Sequence, residues 1–272
     1  MAENEMNAEV VGKIEVAPGL MILRVKPVGW ELPDFTPGQF AVLALPGSAP
    51  RHPVTDPEEA PLPPDKLIKR AYSIASSSRT KEYMELYITL IRSGALTPRL
   101  FNLNVGDHLF LAPNIKGAFK IDEAKPGSHI VMFATGTGLA PFMSAIRTTF
   151  ATDKTRRYVI VHGARHSWDL GYRSELATLS FQSINFTYIP IISRPDDEKP
   201  GWLGAKGYVQ DVWTRGVIQS VAGFQPNPDN SSVFICGNPE MTENMVKLLT
   251  ACDFREHSRK EPEGQVFVER FW

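Results

Sequence analysis

The residues that could do chemistry lie in short, separated stretches. "ATGTGLAP" (134–141) is a strand-to-helix turn containing Gly136 and Gly138. It is short enough for backbone N–H groups to meet a phosphate at a helix start, and it could equally be simple punctuation. "VHGAR" and "IISR" each end an apolar run on an arginine, Arg165 and Arg194. Two guanidinium groups at strand ends could grip a phosphate, or could be solvated surface charge. "FICGNPEM" sets Cys236, then Asn238, Pro239 and Glu240, at another strand end. A half-buried cysteine is ordinarily packing, and catalysis by it requires a lowered thiol pKa. "RAYSIASS" (70–77) alternates base, aromatic and hydroxyl. A strand would put Arg70 and Tyr72 on one face and Ala71 and Ser73 on the other, either as a ligand site or as a polar edge. Finally, "FVERFW" places Glu269 just before Phe271 and Trp272, two large aromatics that need an apolar partner.

Other chemistries find little support. The glycine turn lacks the third glycine and distal acid of the full dinucleotide fingerprint. GxSxG is absent, and the 6 histidines show no HExxH or zinc-like spacing. Only 2 cysteines occur, which excludes a disulfide framework or an all-cysteine iron–sulfur cluster within the chain. A formal net charge of -1 argues against a dedicated nucleic-acid surface or a polybasic membrane patch.

These residues need elements to hold them. A length of 272 residues suggests about two domains, and 43% hydrophobic with 22% charged residues is ordinary for a globular chain. In the first half, "LMILRVKPV", "GQFAVLAL", "MELYITLI" and "DHLFLAP" are short branched and aromatic runs separated by Pro, Gly and Asn. They predict an antiparallel β-barrel or sandwich. In the second half, the apolar strands "SHIVMFATGTG", "RYVIVHGAR", "NFTYIPIIS" and "SVFICGNPE" alternate with helical stretches such as "PFMSAIRTTF" and "MTENMVKLLTACD". That alternation predicts a parallel sheet covered on both faces. The expected boundary lies near "DEAKPGS", giving domains at 1–124 and 125–272. The proline-rich 46–69 stretch reads as a long surface loop, either a mere insertion or a functional lid. The opening residues carry acids rather than the bases of a signal peptide, and no apolar run reaches membrane-span length, so a cytoplasmic setting is expected.

Taken in order, these stretches resemble the ferredoxin–NADP(+) reductase superfamily, and most closely the bacterial ferredoxin/flavodoxin–NADP(+) reductases. "FTPGQF" (35–40) is similar to an early strand of that family and "RAYSIASS" to its flavin motif Arg-x-Tyr-Ser. "SGALTPRL" (93–100) is similar to the segment beside the flavin pyrophosphate. "ATGTGLAP", "VHGAR", "SR" at 193–194 and "CGNPEM" follow as its nicotinamide-nucleotide domain requires, and "VERFW" is similar to its carboxylate-x-aromatic ending. The resemblance implies a FAD-binding β-barrel followed by an NADP(H)-binding α/β domain.

It also implies residue roles. Arg70 would pair with the FAD pyrophosphate, Tyr72 and Tyr87 would line the flavin, and Ala95, Leu96 and Thr97 would contact phosphate. Thr137 would reach the flavin from the glycine turn. Phe271 would lie on the isoalloxazine and Trp272 on the folded-back FAD, which supplies the missing apolar partner. Ser73, Cys236 and Glu269 would gather near flavin N5 and the nicotinamide C4, with Cys236 shaping the pocket rather than attacking. Arg165 and Arg194 would hold the 2′-phosphate of NADP(H). Where close relatives carry an arginine, this chain reads "KGYVQD", so Tyr208 and Lys206 take that position and strict preference for NADP over NAD is open. The implied partner is a small acidic ferredoxin or flavodoxin, met by a basic patch such as Arg79, Lys81 or Arg99, and a monomer is expected. Two other readings stay open: an NADH-dependent flavin reductase serving a cytochrome or oxygenase, and a non-catalytic flavin-binding subunit.

Overall fold

The computed structural model describes residues 6–60, 62–150, 152–153 and 155–270. It divides into two units. The first runs to Ala118 and includes Met143–Thr148; the second begins at Phe119 and takes in the remainder from Thr149.

The first unit is built on six antiparallel strands: β1 (Ala8–Ala17), β2 (Leu20–Pro27), β3 (Phe40–Pro46), β4 (Leu67–Ser73), β5 (Met84–Thr89) and β6 (His108–Leu111). Their order is β4-β3-β6-β1-β2-β5. Ile74, one residue past β4, bridges Leu86 of β5, and the Ala75 amide donates to the Glu85 carbonyl at 2.8 Å. The two edge strands therefore touch at this one bridge, in an antiparallel sheet of the kind the first-half runs predict. Met21, Leu23, Leu43, Ile74, Met84, Leu86, Ile88 and Leu109 fill its interior. β1 is the strand that hydrophobic periodicity does not announce. Its register shifts between Val10 and Gly12 and again between Glu15 and Ala17, and each extra residue breaks the two-residue alternation. One short helix, α1 (Thr97–Asn102), follows β5.

The second unit holds a six-stranded parallel sheet: β7 (His129–Thr135), β8 (Tyr158–Ala164), β9 (Phe186–Ile192), β10 (Ala205–Lys206), β11 (Ser231–Gly237) and β12 (Val266–Arg270). Every residue of β11 is buried, as are the first six of β8, which is what continuous apolar runs require of strands covered on both faces. Helices α3 (Arg173–Gln182), α4 (Val209–Thr214), α5 (Val217–Ala222) and α6 (Pro239–Thr250) complete it, with the start of α2 (Ala140–Ala145, continuing as a π-turn through Ile146–Phe150), whose residues 143–148 belong to the first unit. Val209 and Val212 of α4, Ile218 of α5, and Met241, Met245 and Leu249 of α6 pack on Val131, Val161, Val233 and Ile235. On the opposite face, Phe119 lies 6.0 Å from Phe142 and 5.7 Å from Phe234, ring centre to ring centre. The strand order β10-β9-β8-β7-β11-β12 places β7 between β8 and β11. The chain thus winds outward from β7 in both directions, and the crevice beyond the carboxyl ends of β7 and β11 is the topological switch point where ligands bind in such sheets. No described helix is long and apolar enough to cross a membrane.

Candidate functional site

At the switch point the glycine turn and the end of β11 touch through backbone. Gly136–Leu139 form one 3₁₀ turn after β7. A Cβ on Gly138 would stand 2.5 Å from the Cys236 carbonyl carbon and 2.7 Å from Gly237 Cα, so only glycine permits this approach. A Cβ on Gly136 would meet nothing within 4 Å, so that side of the turn faces open space. Thr137 is half-buried in the turn. Across the crevice, the Asn238 amide donates to Thr135 Oγ1 at 2.9 Å, and Asn238 Oδ1 accepts from the Met241 amide at 3.2 Å. Asn238 is thereby the N-cap of α6, Pro239 opens the helix, and Glu240 lies in its first turn, where a carboxylate suits the helix dipole.

Along the same edge of the sheet, three cations follow one another. The Arg194 amide donates to the Arg165 carbonyl at 2.9 Å, which sets the two arginines side by side past the ends of β8 and β9. Lys206 pairs in register with Ile192, so it stands at the end of the next strand. All three side chains are exposed and, among the described residues, pair with no carboxylate. Tyr208, 68% exposed, follows them at the start of α4, its amide donating to Asp211 Oδ2 at 2.7 Å. Sequence proximity does not gather these four residues; parallel pairing does.

Cys236 and Glu269 are neighbours across β11 and β12, with Cys236 Sγ donating to Glu269 Oε2 at 3.5 Å. The thiol is fully buried, and burial followed by the Glu269 carboxylate pushes its pKa well up. Both causes favour the neutral thiol over the thiolate. Cys252 is exposed. Native protein treated with iodoacetamide should therefore lose one thiol quickly and the second only on unfolding; rapid loss of both by mass spectrometry would contradict the burial of Cys236. One more buried titratable group lies beneath the glycine turn. His162 has Nδ1 3.2 Å from the Tyr188 hydroxyl, and burial lowers its pKa to about 4, so it stays neutral.

In the first unit, Arg70 is exposed on the edge strand β4, and its Nη1 donates to the Lys69 carbonyl at 2.8 Å. Tyr72 is half-buried opposite Ala41, and burial pushes its phenol pKa up. Ser73 is buried opposite Phe40, while Ala71 is exposed. Tyr87 is buried in β5, on the same outward side as Glu85, whose carboxylate lies 2.7 Å from Arg24 and 2.6 Å from Arg147. Ala95, Leu96 and Thr97 form the turn into α1. Thr97 Oγ1 accepts from the Ile91 amide at 3.0 Å and donates to its carbonyl at 3.2 Å. That hydroxyl is engaged locally. The amides of Ala95, Leu96 and Thr97 have no acceptor among the described residues. Phe271 and Trp272 lie outside the described residues.

The expected basic patch loses one member. Arg99 is 2% exposed, because α1 turns its side chain inward onto Glu58 at 2.8 Å. Lys81 is exposed but held by Asp34 at 2.6 Å. Glu58 and Arg51 were invisible to motif reading, since they lie in the proline-rich stretch with no spacing that links them to position 99.

Residues 132–247 match the family described as oxidoreductase NAD-binding domain. The chain is 33% identical over 210 residues to a flavodoxin/ferredoxin–NADP reductase of Buchnera aphidicola subsp. Baizongia pistaciae, covering 76% of this chain and 82% of that protein. It is 30% identical over 212 residues to a ferredoxin–NADP reductase of Azotobacter vinelandii, covering 75% and 80%. The fold is shared with a crystal structure of a ferredoxin NADP+ reductase from Neisseria gonorrhoeae with bound FAD and NADP: TM-score 0.81, 22% identity, 98% of each chain covered.

Proposed function

Because the chain belongs to the ferredoxin/flavodoxin–NADP reductase family, we propose that it moves hydride between NADP(H) and FAD and single electrons between FAD and a ferredoxin or flavodoxin. When bound, the flavin supplies the conversion between two-electron and one-electron chemistry; the protein supplies binding and alignment. The observation that carries this reading is the row Arg165, Arg194 and Lys206 beside the switch-point crevice. Its donor chemistry fits a 2′-phosphate, since guanidinium forks and an ammonium match a dianion. Tyr208, next in line and exposed, would stack on an adenine.

The first unit fits the flavin by the same test. Arg70 offers an exposed guanidinium to the FAD pyrophosphate, and the open amides of Ala95, Leu96 and Thr97 offer further donors. Tyr72 and Tyr87 would line the ring, with Ala71 beside them on the same strand as Ser73, which would donate to flavin N5. Thr137 would approach the flavin from the glycine turn, and Asn238, Pro239 and Glu240 would frame the nicotinamide. Cys236 would shape that pocket as a neutral thiol, and Glu269 would orient groups or relay a proton there. Phe271 and Trp272 would cover the flavin. In this reading residues 1–124 serve the flavin and 125–272 the nucleotide, and the protein acts as a cytoplasmic monomer with an acidic electron-carrier partner.

The test is an anaerobic titration of the purified protein with NADPH and NADH in parallel, followed by its visible spectrum. Bleaching far faster with NADPH is the expected result. An equal response to both would move the assignment to an NADH-dependent flavin reductase. Absence of bound flavin after FAD addition would overturn the reading.

A further inference from the structure

The connection 47–66 between β3 and β4 is long and proline-rich, yet it is bound down along its course. Its base closes where the Gly47 amide donates to the Lys66 carbonyl at 3.0 Å and the Ser48 amide to the Pro64 carbonyl at 3.0 Å. The middle is held by charge. A guanidinium as buried as that of Arg99 requires a counter-charge. Glu58, on the connection, provides it: Arg99 Nη1 lies 2.8 Å from Oε1 and Nη2 3.1 Å from Oε2, a fork-to-fork pair. Arg99 also donates to the carbonyls of Ala95 at 2.7 Å and Gly47 at 2.6 Å. Arg51 approaches Glu58 Oε1 at 3.2 Å and donates to the carbonyls of Gly94 at 2.9 Å and Arg92 at 3.1 Å. The His52 amide takes the Pro98 carbonyl at 2.9 Å.

The carbonyls of Arg92, Gly94, Ala95 and Pro98 are thus all bound by groups that Glu58 or the connection holds in place. A trans peptide puts each C=O and the following N–H on opposite edges of one plane. Fixing the Gly94 carbonyl therefore fixes the aim of the Ala95 amide, and fixing the Ala95 carbonyl fixes that of Leu96. These are the amides that the proposed function gives to the FAD diphosphate.

We propose that Glu58 is a positioning residue for flavin retention: through Arg99 and Arg51 it straps 47–66 onto 92–98 and aims the amides that hold the FAD diphosphate. The role rests on the flavin reading above, and its test separates the two. Full-length protein stripped of flavin is titrated with FAD and, in parallel, with riboflavin, which has no phosphate. Glu58→Gln keeps the side-chain shape and removes the charge. It should raise the FAD Kd roughly tenfold, the loss of one charge-assisted bond, and leave the riboflavin Kd within about twofold. Glu58→Asp should recover part of the difference. Should Glu58→Gln fail to fold around an uncompensated Arg99, Arg51→Gln decides. It releases the Gly94 carbonyl, leaves the Glu58–Arg99 pair intact, and should weaken FAD roughly threefold to fivefold without touching riboflavin. Unchanged FAD affinity in both variants overturns the positioning role while the flavin reading stands, as does a parallel loss of FAD and riboflavin affinity, which marks general loosening. Wild-type protein that binds no FAD overturns the flavin reading and the positioning role together.

Discussion

Replacing Arg165 and Arg194 together by alanine is expected to raise KM for NADPH roughly 100-fold while leaving that for NADH within about twofold. The two side chains are exposed, so each charge-assisted bond to a 2′-phosphate falls near the lower end of the usual range, about 1.5 kcal/mol. Two such bonds give about 3 kcal/mol, or about two powers of ten. Because NADH has no 2′-phosphate, it never made those bonds and loses nothing. Steady-state kinetics with an artificial acceptor measure both constants, and kcat at saturation should be nearly unchanged, since the lost binding is common to ground and transition state. A parallel loss with NADH would mean that the arginines support the sheet edge rather than the phosphate. Unchanged KM for both nucleotides would remove the cation row from the site, and with it the argument for NADP over NAD.

The second large effect concerns a hydrogen-to-methyl change. In Gly138→Ala the new methyl meets backbone, at 2.5 Å from the Cys236 carbonyl carbon and 2.7 Å from Gly237 Cα. A flexible side chain could move aside; these atoms cannot. Cys236 is paired in register with Ala134 on one side and Glu269 on the other, so relief requires parting the glycine turn from the end of β11. Overpacking of this kind costs about 1–3 kcal/mol, and the backbone-on-backbone contact puts it at the upper end. At about 2–4 °C per kcal/mol for a chain of this size, the melting temperature should fall by roughly 6–12 °C. In the proposed reading the nucleotide binds beside this contact, so KM for NADPH should rise at least about tenfold. Bound flavin, seen in the visible spectrum, should remain. A variant with wild-type melting temperature and KM would show that the turn relaxes freely and that the close approach has no functional weight.

The sequence by itself determined the two-part architecture and supplied the residues from which a site is proposed. Branched and apolar runs broken by turn residues marked a β half, and apolar strands alternating with helices marked a parallel α/β half; the two six-stranded sheets follow those patterns. Gly136, Gly138, Arg165 and Arg194 were legible because strand ends and glycine turns leave local signals. β1 was not, because its two register shifts erase the alternation of its side chains; nor were β10, only two residues long, and β12, whose run reads as an aromatic ending.

What only the tertiary structure decided are the pairings between distant positions. Parallel register sets Cys236 beside Glu269 and Lys206 in line with the two arginines, which no spacing in the chain predicts. The same holds for Arg99, expected at the surface as partner-facing charge and found buried against Glu58. A charged residue on a short helix reads as exposed until its counter-charge is known. Here the counter-charge comes from a proline-rich stretch that carries no periodic signal. Local propensity is written in neighbouring residues; burial and charge compensation depend on which segments the fold brings together, and that is settled only when the chain has closed on itself.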